Sequence, residues 1–142
     1  MPVKPAKVKN INKTVTGNRS KAEQLIIDML RFHFKRLNVS KNDKTLLGRQ
    51  EMDIYLPDYK YCIECDGLTH WKPIFGQETL NRTIEADRRK EEKLQALGIR
   101  LFRVKLPENS SKTVEVIKAI LPELVADIKQ WIALIPDTAK AE

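Results

Sequence analysis

The sequence predicts a single domain of the α/β class, in which helices flank a small mixed β-sheet and the elements follow the order α-β-β-α-β-α. Three observations support this prediction. Segments with apolar residues at three- and four-residue spacing are typical of helices that pack one face against a core. Short apolar segments bounded by turn residues lie between them and indicate strands. The chain of 142 residues, of which 42% are apolar and 32% charged, is long enough for one domain with a buried core.

The first predicted elements are a helix and a β-hairpin. The helix covers residues 20–37, and Ser20 with Glu23 forms the S-x-x-E pattern of a capping box, whose side chains bind backbone N–H groups of the first turn. The polar loop NVSKNDKTLLG follows. Two strands, Gln50–Leu56 and Tyr61–Asp66, are then joined by the turn Pro-Asp-Tyr-Lys.

The second half of the chain predicts a crossover helix, a strand and C-terminal helices. An irregular segment with Pro and Gly leads into a helix over residues 77–97, which Gly98 ends. A helix of about twenty residues allows a parallel crossover to the third strand, Ile99–Lys105, whose apolar character predicts a central place in the sheet. Residues 113–135 predict one or two amphipathic helices, divided or started by Pro122.

Charge is distributed unevenly along a chain whose net charge is +7. Six basic residues precede the first acid: Lys4, Lys7, Lys9, Lys13, Arg19 and Lys21. Such a segment suits an anionic polymer as partner, because each phosphate that a basic side chain neutralises releases counterions. It is equally compatible with a solubilising tail. We expect residues 1–18 to form a flexible basic arm ahead of a domain over residues 19–142, whose C-terminal helices begin near residue 112.

Two classes of protein are disfavoured by the sequence. No apolar run approaches the roughly 18 residues that a membrane span requires, so no membrane partner is expected. The N-terminal segment lacks the apolar stretch of a signal peptide, which predicts a cytoplasmic location.

Cys62 and Cys65 are spaced like zinc ligands, but no second Cys/His pair completes a site, and residues three apart on a strand point to opposite faces. We expect both thiols to be reduced and free.

A cluster of carboxylates is predicted near the end of the hairpin. With the turn centred on Pro-Asp-Tyr-Lys, Asp53 lies opposite Glu64, and Asp66 points to the same face. Carboxylates so close destabilise one another unless a cation lies among them, and oxygen ligands favour Mg²⁺ or Mn²⁺. The alternative is a solvated polar face, although Tyr55 and Cys62 are expected on that same face.

An acid and a histidine downstream are further candidates. Asp87 lies on the apolar stripe of its helix, seven residues before Leu94, and an acid placed toward the sheet needs a partner or a role. His70 could take a proton from water or bind a phosphate, or it could simply be solvated. His33, at helix-core spacing, is interpreted as structural. The ordinary ion-pair partners available to Asp87 are Arg88, Arg89 and Arg103.

Asp53, the segment IECDGLTH and the segment ADRRKEEKLQALGIRLFRV together resemble the Vsr-like branch of the PD-(D/E)xK nuclease superfamily. The pattern is closest to phage-type homing endonucleases described by an E-D-x-H-D motif, and the resemblance extends from about residue 20 to residue 105. It implies a restriction-endonuclease-like fold. It also implies a magnesium-dependent endodeoxyribonuclease that hydrolyses phosphodiester bonds, encoded by a phage or another mobile element.

The resemblance also implies a metal site. Glu23 matches the first acid of the motif, which leaves two interpretations of that residue, catalytic or capping. Asp53 matches the second acid, the principal ligand of Mg²⁺ or Mn²⁺, and Glu64 or the main-chain carbonyl at Cys65 would complete the ligand set. The superfamily's usual lysine position holds Asp66 here, so a lysine-assisted mechanism is not expected.

The remaining positions of the motif imply proton transfer and DNA contact. His70 matches the histidine that activates or orients the attacking water, and Asp87 matches the last acid, which would orient His70. Arg88, Arg89 and the basic residues from Lys4 to Lys21 would contact phosphates, which position the duplex without reading its sequence. Cleavage of both strands would require a homodimer or two sequential nicks.

Two alternatives from other classes stay open. RAP-type RNA-binding domains carry a similar E-x-D-G-x-x-H segment, so a catalytically inactive nucleic-acid-binding module of the same fold is the first. The second is a protein-interaction module that uses the C-terminal helices, VIKAILPELVADIKQWIALI, as an apolar surface.

Overall fold

The computed structural model describes residues 19–136. In this part of the chain, a four-stranded mixed sheet packs against three α-helices, which confirms the predicted mixed α/β class. Four of the predicted DNA-contacting residues, Lys4, Lys7, Lys9 and Lys13, lie outside the described residues, as does the predicted basic arm as a whole. The elements are α1 (residues 19–33), β1 (Ser40–Asp43), β2 (Met52–Leu56), β3 (Tyr61–Asp66), α2 (Gln77–Ala96), β4 (Arg100–Lys105) and α3 (Thr113–Leu134).

The predicted element order was wrong by one strand, because β1 lies in the segment that was interpreted as a polar loop. Its residues, SKND, are partly or fully exposed and have low strand propensity. The strand forms because it pairs antiparallel with β2, with Lys41 opposite Ile54 and Asp43 opposite Met52. A short polar edge strand of this kind depends on its neighbour, and no local pattern indicates it.

The sheet has the order β1-β2-β3-β4, with antiparallel pairing up to β3 and a parallel β3–β4 pair. The hairpin register is the one predicted, since Ile54 pairs with Ile63 and Tyr55 with Cys62. The predicted central place of the third strand was wrong, because β4 is an edge strand. Its apolar residues are explained by the helices on both of its faces, not by two neighbouring strands.

Two apolar clusters cover the two faces of the sheet. On one face, α1 and α3 pack against alternate residues of β2, β3 and β4, with Ile26, Leu30 and Ile117 fully buried. On the other face, Leu94 of α2 packs with Tyr55 and with other buried residues of β2 and β3. The sheet is therefore held between helices, and the two ends of its strands remain open.

The helices differ from the predicted boundaries in two respects. Helix α1 ends at residue 33, before a turn in which Arg36 has a φ of 56°, and His33 is exposed instead of packing in the core. Helix α3 continues through Pro122 as one element. Among residues 19–136, no helix is both long and apolar enough to cross a membrane.

Candidate active site

Four of the predicted acids and the histidine line one cavity at an end of the sheet, whereas Glu23 does not line it. The cavity has a volume of about 180 Å³, enough for roughly six water molecules at about 30 Å³ each. Among its lining residues are Asp53, Glu64, Asp66, His70, Asp87 and Lys90. Residues from α1, from both hairpin strands and from α2 thus share one water-accessible space.

Asp53 and Glu64 are joined by hydrogen bonds between the ends of β2 and β3. The backbone N–H of Asp53 donates to Glu64 Oε2 at 2.7 Å, and the backbone N–H of Cys65 donates to Asp53 Oδ2 at 2.9 Å. Both carboxylates are buried. Met52 packs on the α2 side of the sheet but Ile54 on the α1 side, so the regular alternation of β2 breaks at Asp53. Because of this break, the side chain of Asp53 joins neither apolar cluster and lines the cavity instead.

Lys90 is a site residue that the sequence analysis missed. Its ammonium forms an ion pair with Glu64 Oε1, and the residue is only 8% exposed. Lys90 belongs to the charged segment EADRRKEEK, yet it lies three residues after Asp87 and four before the buried Leu94. That spacing, which places all three on one face of α2, is the signal that could have identified it.

The buried carboxylates of Glu23 and Glu64 are not fully compensated by the groups around them, and the pKa of each is raised. Burial, followed by the charge of Asp53, raises the pKa of Glu23 to about 7. Burial and Asp53 also raise the pKa of Glu64, although Lys90 opposes them. Oε2 of Glu23 is buried and accepts no hydrogen bond from residues 19–136, and its ion-pair partner, Arg19 Nε, is 3.6 Å away. These carboxylates therefore favour a further positive charge or a proton.

The capping interpretation of Glu23 was wrong. Residue 20 is already helical, so Ser20 does not occupy the cap position of α1. Glu23 is 2% exposed and faces the protein interior close to Asp53, whereas a capping glutamate lies at the surface of the first turn. Glu23 is thus a buried acid near Asp53 that does not itself line the cavity.

His70 is held by a second acid. It ends a short 3-10 turn, Leu68–His70, directly after β3, and its Nδ1 lies 2.9 Å from Oδ2 of Asp87. An ionised carboxylate can only accept a hydrogen bond, so this contact favours the tautomer in which Nδ1 carries the proton. The predicted proximity of Asp87 and His70 is confirmed, and the geometry is that of an oriented base.

Arg103 of β4 contacts both Asp66 and Asp87, the two acids near His70. Its Nη1 lies 3.1 Å from both carboxylate oxygens of Asp66, and its Nη2 donates to the backbone carbonyl of Asp87 at 3.4 Å. Oδ1 of Asp66 is 3.8 Å from Nδ1 of His70. Of the three arginines considered as ion-pair partners of Asp87, Arg103 is the one that faces it, with its Nη1 4.0 Å from Asp87 Oδ1.

The arginines predicted to contact phosphates differ in their positions. Arg19 lines the cavity and its side chain is 40% exposed. Arg88 and Arg89 point away from the site and form ion pairs with acids of the same helix, mainly Glu85. Lys21 is exposed on α1.

The two cysteines are buried free thiols on opposite faces of the sheet, as predicted. Burial raises the pKa of both thiols, so neither provides a thiolate ligand at neutral pH. Cys65 takes part in the site through its backbone N–H, which binds Asp53.

The residues of the site fit a hard divalent cation in their chemistry. Buried carboxylate oxygens are the ligands that Mg²⁺ and Mn²⁺ prefer, and Glu23 offers one that accepts no hydrogen bond. Within residues 19–136, however, no three His, Cys, Asp or Glu side chains already converge as a metal site. The predicted ligands Asp53 and Glu64 are occupied by N–H groups and by Lys90 instead.

In comparisons with protein-family models, with curated proteins and with solved structures, no match to this chain was found. The fold and the site together define an α/β domain with a buried cluster of acids, an oriented histidine and a buried lysine. The resemblance to Vsr-like nucleases rests on the residues quoted above and stays a prediction.

Proposed function

We propose that this protein is a metal-dependent DNA endonuclease with a restriction-endonuclease-like fold, of the kind that phages or mobile elements use for homing. The observation that carries the proposal is that the His70–Asp87 pair opens into the same cavity as Asp53 and Glu64. Hydrolysis of a phosphodiester needs a base beside a site for cationic charge, and the cavity offers both.

Each side chain has a distinct part in the proposed reaction. Asp53, with Glu23 and Glu64, would hold Mg²⁺ or Mn²⁺, which lowers the pKa of a bound water and offsets charge on the phosphate. Nε2 of His70 accepts the proton of the attacking water. Asp87 keeps His70 in the required tautomer and stabilises the imidazolium that forms, because its carboxylate lies 2.9 Å from Nδ1.

The proposed substrate is double-stranded DNA. The net charge of +7 favours an anionic polymer, and Arg19 at the cavity is placed to meet a phosphate. Cutting both strands would take place in a homodimer or by two sequential nicks.

The test is a cleavage assay on supercoiled plasmid and on genomic DNA, with Mg²⁺, Mn²⁺ or EDTA. We expect cleavage by the wild type in either metal, and its loss in Asp53→Asn and in His70→Ala. Asp28→Asn and His33→Ala are matched controls, since both residues are exposed on α1 and line no part of the cavity. Cleavage that persists in Asp53→Asn would overturn the mechanism.

A second candidate is a catalytically inactive nucleic-acid-binding module of the same fold. It is favoured by one observation: both oxygens of Glu64 are already occupied, by Lys90 and by the N–H of Asp53. Fluorescence polarisation with labelled DNA and RNA duplexes distinguishes the two functions. Tight binding without cleavage, in either metal and on genomic substrate, would establish the binding module.

A further inference from the structure

We propose that Lys90 is the resident counter-cation of this site and that a divalent metal ion must displace it from Glu64 in order to bind. Lys90 is then a positioning residue that sets the metal affinity of the free protein. The inference rests on the proposed function only in taking Mg²⁺ or Mn²⁺ as the ion that the site binds.

The position of Lys90 is imposed by the helix that carries it. Burying an ammonium ion is unfavourable unless a carboxylate compensates it, and Lys90 is only 8% exposed. Leu94, one turn further along α2, is fully buried in the cluster that fixes this helix on the sheet. The backbone therefore holds Lys90 over the sheet, and Glu64 is the carboxylate within its reach.

The carboxylate oxygens around the cavity differ in how easily they can be released. Oε2 of Glu64 and Oδ2 of Asp53 accept hydrogen bonds from backbone N–H groups at the strand ends, which move only with the sheet. Oε1 of Glu64 is bound by an ammonium on a stem of four methylene groups with several rotatable bonds. Lys90 is thus the partner that a metal ion can displace at least cost.

A cavity with space beside the pair makes this exchange feasible. Lys90 and Glu64 both line the cavity of about 180 Å³, so the ammonium can turn toward water when it leaves the carboxylate. A divalent ion would then take the place of one positive charge between Glu64 and Asp53, which both line the cavity. Two cations cannot share Oε1 of Glu64 without strong repulsion, so they compete.

The test measures metal binding without nucleic acid, in wild type and in Lys90→Met. Mn²⁺ binding is followed by the electron paramagnetic resonance signal of the free ion, and Mg²⁺ binding by isothermal titration calorimetry. We expect Lys90→Met to bind both ions about tenfold more tightly, or better, which corresponds to about 1.4 kcal/mol per factor of ten. The matched control is Lys93→Met, which removes the same charge from the exposed face of α2, where the ammonium donates to the amide oxygen of Gln50.

Two further variants separate this role from a general effect of charge. Lys90→Arg keeps the cation and should keep the wild-type affinity. Glu64→Gln in the Lys90→Met background should abolish the gain, because the released ligand is then absent. If Lys90→Met does not fold, Lys90→Gln, which keeps a donor but no charge, carries the same expectation.

A gain no larger than that of Lys93→Met, or a gain that survives Glu64→Gln, would overturn the proposal. Failure of the proposed function is a separate result, since every measurement here is made without DNA. A protein that binds Mn²⁺ more tightly after Lys90→Met but never cleaves DNA would support the counter-cation and refute the nuclease.

Discussion

Replacing Glu23 by glutamine should stabilise the protein above neutral pH and not below pH 4.5. Burial, followed by the charge of Asp53, raises the pKa of this carboxyl from 4.5 to about 7 in the folded state. Between those two pH values the unfolded chain loses the proton and the folded chain keeps it. Stability therefore falls as pH rises through this window, and the loss is complete above pH 7.

The magnitude follows from the difference between the two pKa values. It corresponds to roughly 3 kcal/mol, at about 1.4 kcal/mol for each unit of pKa. Because Glu23 is only 2% exposed, solvent does not appreciably screen the effect. Glu23→Gln removes the ionisable group while keeping the shape of the side chain, so up to this amount is recovered at pH 8.

The assay is urea denaturation of wild type and Glu23→Gln at pH 4.5, 6, 7 and 8. We expect the two free energies of unfolding to agree within about 1 kcal/mol at the lowest pH, and the variant to gain progressively above it. Glu123→Gln, an exposed glutamate on α3, is the control and should show a constant difference. Parallel curves for wild type and Glu23→Gln would refute the reasoning, because the carboxyl would then titrate alike in both states.

Three further predictions concern the histidine, a structural ion pair and the core. Asp87→Asn offers an amide donor where His70 Nδ1–H needs an acceptor. The rate of DNA cleavage should therefore fall by about 10²-fold or more, with little change in the unfolding midpoint. An unchanged rate would count against the proposed role of Asp87. Asp127→Ala leaves the buried hydroxyl of Tyr61 without its 2.7 Å acceptor and should cost roughly 1–3 kcal/mol in urea denaturation, with cleavage per folded molecule unaffected. Leu94→Ala should cost about 2–5 kcal/mol by the same measurement, because it opens a cavity under α2, and a smaller loss would mean that α2 is held mainly by its polar contacts.

The hairpin shows how far local chemistry carries a prediction. A turn of known composition sets the register of its two strands, and that register brings Asp53 and Glu64 within hydrogen-bonding reach of each other. The turn and the strands are contiguous in the sequence, so no distant contact was needed to predict this part of the site. The helical spacing that directed Asp87 toward the sheet was equally local.

The positions of Lys90 and Glu23 could not be predicted from local sequence patterns. Lys90 belongs to a charged run that resembles a solvated face, and only the packing of α2 on the sheet turns its side chain toward Glu64. Glu23 matches a capping pattern, and only the start of α1 at or before residue 19 rules that interpretation out. For Lys90 a contact with a distant strand overrode the local pattern, and for Glu23 the helix already included the expected cap residue, Ser20.

The sequence by itself determined the α/β class and the register of the hairpin, because periodicity and turn chemistry are properties of contiguous segments. Only the tertiary structure decided that β1 joins the sheet, that β4 lies at its edge and that Lys90 neutralises Glu64. Strand neighbours and buried ion pairs depend on which surfaces meet after the chain has folded. The apolar content of a strand reports whether its faces are covered, and it does not report how many strands lie beside it.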